Sequence, residues 1–255
     1  MTYFVKIFSL SLLSGFAFGA TAQTLSVRDS TIATWMLSPS YCGYAPAGDM
    51  AKRFGYTSLI GMNVGYKWAN NLYINGGAHF LFGGSVKENQ ILKALQTPEG
   101  YIMNNNVIPA TPRLLARGVV VPVSVGKIFP LKMSNNPNSG VYVEVGGQFI
   151  QHKVWIRSSE GTYDILKGDR VKGYDRMTNG FGIREGIGYR FFGNNNYGNF
   201  AIGLDFSQNF TKNRRSINVD EGKADTQQRI DVLSGFTASW CFPIYQAAKK
   251  TFYYR

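Results

Sequence analysis

The stretch GFGIREGIGYRFFGNNNYGNFAIGLDF, Gly180 to Phe206, decides the fold. Its first half places Phe181, Ile183, Ile187, Tyr189 and Phe191 on one side of an extended chain, and Gly182, Arg184, Gly186, Gly188 and Arg190 on the other. After the polar segment GNNNYGN the alternation resumes, with Phe200, Ile202, Leu204 and Phe206 against Ala201, Gly203 and Asp205. A period of two marks a strand with one apolar face. The medium that this face meets separates two architectures, a water-soluble sandwich and a membrane barrel.

Composition narrows the choice. The 255 residues are 44% hydrophobic, 15% aromatic and 16% charged, a charged share well below the roughly 25% of ordinary soluble domains. Aromatics and the 29 glycines sit in strand-like runs, which excludes a disordered or collagen-like chain. All-β domains of this length commonly form one unit.

The N-terminus reads as an export address. MTYFVKIFSLSLLSGFAFGATAQ carries Lys6, an apolar run from Ile7 to Phe18, and Ala20 and Ala22 around Thr21. That is a secretory signal peptide over residues 1–22, cut between Ala22 and Gln23, with the barrel domain on residues 23–255. Removing Lys6 lowers the net charge from +12 to +11. For an exported protein, lipid phosphates rather than nucleic acid are the expected counterparts of that charge.

Past the signal, no apolar run reaches the ~18 residues of a spanning helix. About eight strand candidates instead have the ~10-residue length of a tilted membrane strand. They cover roughly Thr31–Tyr44, Thr57–Trp68, Asn71–Gly83, Arg117–Phe129, Gly140–Ile156, the two halves of the opening stretch, and Arg229–Phe242. The connections ANN, PLKMSNNPNSG and GNNNYGN are short; Ala45–Tyr56, Ser85–Leu115, Ser158–Asn179 and Arg214–Thr226 are long. Strict alternation of short and long connections predicts an eight-stranded antiparallel up-and-down transmembrane β-barrel, with short periplasmic turns and long extracellular loops. A short helix is expected near Asn89–Gln96.

A sandwich would expose a face rich in glycine, which packs nothing. A small closed barrel places those glycines in a crowded interior and lets opposite charges pair away from lipid. Trp68, Tyr66, Tyr189, Phe191, Trp240 and Phe242 then form an interfacial girdle at the short turns. Two residues fit less simply: Glu185 falls on the lipid-facing side, and Pro122 sits inside a strand. Either a bulge shifts the register locally, or Glu185 stands at the external headgroup level.

The segments PAGDMAKRFG, NPNSG, QHKVWI, KGYDRMTNGFGI, FTKNRRS and the closing FPIY…TFYYR run in order through nearly the whole mature chain. In combination they resemble small outer-membrane β-barrel proteins of Bacteroidota, the porin-like outer-membrane β-barrel class. The resemblance implies an outer-membrane location and carries over no catalytic residue or cofactor.

The residues themselves carry no nucleophile, metal or phosphate-binding motif, so no enzyme and no cofactor is expected. His79 and His152 face inward near the external ends of their strands, where a rim-histidine membrane enzyme would hold its base; the alternative is that they complete an internal hydrogen-bond network. An interior charge network is expected from Glu144, Arg184, Arg190, Asp205 and Asp231, with Glu144 and Asp231 neutralising the two arginines and bulky side chains plugging the lumen against a narrow channel. In the loops, Lys212, Arg214 and Arg215 stand at the height of lipopolysaccharide phosphates. The expected role is a structural and interaction platform that contacts outer-membrane lipid, lipopolysaccharide or an envelope protein, the alternative being an accessory subunit of a secretion or assembly complex. Cys42 and Cys241 fall at opposite ends of adjacent strands, too far apart to bridge.

Overall fold

The computed structural model describes residues 30–131, 136–157, 166, 168–193 and 198–244. The expected signal peptide lies outside them. Eight long strands form the frame: β1 (Thr34–Gly48), β2 (Thr57–Lys67), β3 (Leu72–Gly83), β4 (Arg113–Pro130), β5 (Gly140–Arg157), β6 (Thr178–Phe191), β7 (Phe200–Asn213) and β8 (Gln228–Trp240). Each pairs antiparallel with the next, and β8 closes on β1. Beyond Cys241, Phe242–Ile244 prolongs β8 and pairs with Trp35–Leu37. The ring has no free edge, which is the condition for placing strands in hydrocarbon.

The register fixes the stagger of the ring. Stepping sideways from Ala45 through Ser234, Phe206, Glu185, Val145, Val125, Ile74 and Tyr66 returns to β1 at Trp35, ten residues lower. A stagger of that size tilts eight strands by roughly 40° and leaves an interior that side chains fill.

Every residue on that path faces outward. Ile60, Met62 and Val64 on β2, Val119, Val121, Val123 and Val125 on β4, and Ile202, Leu204 and Phe206 on β7 are exposed. Most are β-branched or aromatic residues, which favour extended backbone, and together they make an apolar belt. Aromatic pairs close its lower margin beside the short turns: Trp35–Tyr66 at 5.1 Å, Tyr66–Trp68 at 5.3 Å, Phe191–Phe200 at 5.1 Å and Trp240–Phe242 at 5.3 Å between ring centres.

The other end is closed by its loops. A short helix α1 (Met50–Arg53) and a 3₁₀ turn (Asn89–Leu95), where the sequence predicts a short helix, lower Met50, Phe54, Ile91 and Leu92 into the mouth. There they pack on inward Leu81, Ala116, Ile150, Val154 and Leu233. The loops thus supply the apolar core that a small barrel lacks.

Several strand limits differ from those read in the sequence. β1 continues past Tyr44 to Gly48, because Ala45–Gly48 pair with β8 alone and Pro46 forfeits no bond to β2. β4 begins at Arg113, four residues before the expected start, and pairs with β5 as far as Arg157. Neither proposed explanation for Glu185 holds. The β5–β6 and β6–β7 ladders run without a bulge, and Glu185 sits between Val145 and Phe206, six residues from Phe191 and six from Asn179. That is mid-belt, not headgroup level. Pro122 is accommodated by a gap: β3 and β4 pair at Gly76–Val123 and again at His79–Val120 in one register, with no pairing between.

Candidate functional site

Three layers of side chains occupy the interior. Nearest the turns, Arg190 is enclosed by the rings of Tyr73 and Tyr142, 4.5 and 5.4 Å from its guanidinium, with Met36 Sδ at 3.5 Å. Gly126 and Gly203 make this packing possible: a Cβ on either would stand 2.5 Å from the Tyr73 ring or 2.4 Å from the Tyr142 hydroxyl. Lys67, fully buried, donates to the Ile32 carbonyl at 2.9 Å and to Asn138 at 2.8 Å.

Above this, Arg184 joins two strands' carboxylates. Its Nη1 lies 3.1 Å from Glu144 and its Nε 2.9 Å from Asp205. Tyr73 donates to Glu144 at 2.9 Å, and Tyr44 donates to Asp205. The third layer pairs His152 with Asp231 at 2.9 Å, and Thr211 donates to the same carboxylate at 2.6 Å. Phe54 covers the imidazole edge-on at 5.4 Å.

The expected pairing of charges holds for Glu144 with Arg184 and is corrected for Asp231 and Arg190. Both Glu144 and Asp205 serve Arg184, Asp231 serves His152, and Arg190 meets aromatic faces rather than a carboxylate. The height of each residue decides this: Asp231 and Arg190 lie at opposite ends of the cylinder. The two histidines do not share a rim. His79 contacts Ser40 Oγ at 2.9 Å in a network with Asn63, and His152 is wholly enclosed beneath the loops. Cys42 and Cys241 are buried in separate clusters and unpaired, as expected.

Outside the belt, ionic contacts tie the loops together. Glu88 accepts from Arg53 at 3.1 Å and from Arg176 at 2.9 Å, while Arg176 also grips Asp220. Burial works against the Arg176 charge, but the Glu88 and Asp220 carboxylates outweigh it and hold the guanidinium above its ordinary range. Asp225 is opposed by burial too, yet its contacts with Arg229 and the Gln227 amide hold it below the usual carboxylate value of 3.8.

A basic collar crowns the belt on the loop side. On β4 and β5, Arg113 opposes Arg157 and Arg117 opposes Lys153. All four project outward in register with Trp155, and Arg117 lies 5.2 Å over that ring. At the end of β7 and just past it, Lys212 and Arg214 border a depression with Asn179, Phe210, Gln228 and Ile230. Arg215, expected beside them, turns the other way and forks onto Asp175, since consecutive residues of an extended chain face opposite sides. Arg117, Lys153 and Trp155 lie within the strands expected from the sequence, but the rung of Arg113 and Arg157 escapes that reading because the start of β4 is placed four residues too low. Its signal is the continued alternation of RLLARG and QHKVWIR.

No family model matches the chain, and no curated protein matches it in sequence. Solved structures similar to it are small outer-membrane β-barrel proteins. They include a major outer membrane protein from Thermus thermophilus (TM-score 0.43, 11% identity, 82% of this chain and 99% of that one). Another is Ail, the attachment invasion locus protein of Yersinia pestis, solved with the heparin analogue sucrose octasulfate (TM-score 0.39, 11% identity, 82% and 98%). A third is Neisserial surface protein A (TM-score 0.37, 10% identity, 81% and 97%).

Proposed function

We propose that this chain is a non-enzymatic integral outer-membrane barrel that serves as an interaction platform, holding the anionic headgroups of lipopolysaccharide on its loop-side collar. One observation carries the reading: on the long-loop side the apolar belt ends in a cluster of outward arginines and lysines, whereas Lys127 stands among the aromatic residues of the turn-side margin. Arg113, Arg117, Lys153, Arg157, Lys212 and Arg214 form that edge, with Trp155 among them. Guanidinium forks match phosphate oxygens in pairs, and a tryptophan at the boundary suits the headgroup layer. The interior layers occupy the lumen with buried, mutually bonded groups, which favours a platform over a conduit.

Reconstitution of the purified protein tests this. In bilayers with lipopolysaccharide in one leaflet, the native chain is expected to retain bound lipopolysaccharide through detergent extraction. Replacing Arg117, Lys153, Lys212 and Arg214 by Gln is expected to abolish retention while the barrel still folds. Equal retention by the two forms would sink the proposal.

A further inference from the structure

Glu185 is an ionisable side chain in the middle of the belt. Its neighbours across the ladders are Val145 and Phe206, and its neighbours along β6 on the same face are Ile183 and Ile187. All four are about half exposed. Six residues separate it from each end of its strand's outward row, about 15 Å of depth at the strand rise and tilt of such a barrel. No hydrogen bond or ion pair reaches it from any other described residue. Other outward charges keep to the margins, Lys127 beside Phe129 at the turn-side girdle and Arg117 with Lys153 at the collar.

A carboxylate exposed to hydrocarbon is unfavourable, and ionisable groups at that depth mark places where something pairs with them. The surface around Glu185 is concave. An open groove runs along it, lined by Val143, Val145, Glu185, Ile187, Leu204 and Phe206. Beside it Gly147 faces outward with no side chain, and a Cβ there would touch only the Gly182 carbonyl, at 3.7 Å. The groove offers apolar packing on both flanks and one negative charge at its centre.

We infer that this face of β5–β7 docks a second membrane protein, one whose embedded surface presents an arginine or lysine at mid-bilayer depth to Glu185. A second copy of this chain is the poorer complement, because a two-fold contact through the groove brings two carboxylates together. The inference rests on the belt facing lipid, as in the proposed function, but not on lipopolysaccharide binding.

The test uses the full chain in its native membrane, with Phe206 replaced by the photo-cross-linker p-benzoylphenylalanine. The expected product is an adduct to a membrane-embedded segment carrying a basic residue. Glu185→Lys is expected to lower that adduct at least about tenfold, a loss of roughly 1.4 kcal/mol. Exchanging the partner's basic residue for glutamate is expected to restore it. Glu185→Gln, closest in shape, checks that barrel assembly is unaffected, read from resistance to alkaline extraction and from heat-dependent gel migration. Adducts to lipid alone, to a second copy, or to a segment without a basic residue each overturn the inference, as does failure of the charge exchange to rescue. A wild-type chain extracted by alkali defeats the membrane reading itself and is thereby distinguished.

Discussion

Arg184 on β6 and Asp205 on β7 are joined through Nε at 2.9 Å inside the cylinder, and the same guanidinium reaches Glu144 on β5. Three adjacent strands are thus fastened by one cation. Removing it leaves two enclosed carboxylates with hydrogen bonds from Tyr73 and Tyr44 but without an opposite charge. Arg184→Met is expected to cost about 3–5 kcal/mol, read as a lower urea midpoint for the folded, fast-migrating gel form. Adding Glu144→Gln and Asp205→Asn to the same chain is expected to recover most of that loss. An unaltered midpoint for Arg184→Met alone would show that the pairing contributes nothing.

Gly203 meets the Tyr142 hydroxyl where a Cβ would stand, at 2.4 Å. Gly203→Val therefore pushes into the tyrosine that shelters Arg190, and a destabilisation of about 1–3 kcal/mol is expected. The same change at Gly222, whose Cβ would meet nothing within 4 Å but whose φ is +66°, strains only a loop and should leave barrel unfolding untouched. Equal effects at the two glycines would remove the packing argument.

Acid should loosen the loops before the barrel. Asp225 has a folded-state pKa below 3.8 through burial offset by Arg229 and the Gln227 amide. Its contribution is complete above the unfolded value and disappears as pH falls through the depressed one. Amide exchange in the β7–β8 loop is expected to quicken below roughly pH 4 while the strand amides remain protected. Simultaneous loss of protection in strands and loop would contradict this order.

Cys42 and Cys241 are both buried and unbridged. The unreduced protein should have the mass of two thiols, and neither should label with a maleimide until the barrel is unfolded. A mass two hydrogens lighter would place a disulfide where the fold allows none.

With Arg190 clasped by two tyrosines and the mouth packed by Phe54 and Ile91, planar-bilayer recordings are expected to lack steady single-channel steps. Reproducible conductance from the native chain would require a different arrangement of these side chains.

How much of this was legible in the chain differs by level. Alternation of apolar and small or polar residues, with short and long connections in turn, determined the strands, their number, their lipid-facing sides and which ends share a side, because a strand's side chains alternate strictly and each turn reverses direction. It also located Lys212 and Arg214 and kept the two thiols apart. Tertiary structure alone decided which charges meet. Several partners inside the cylinder come from strands that are not consecutive, as with His152 and Asp231 or Tyr44 and Asp205, and their heights depend on a ten-residue stagger that is set by all eight ladders together. Only the folded chain showed Asp231 beside His152, Arg215 turned onto Asp175, and Glu185 halfway down the belt with no partner of its own among the described residues.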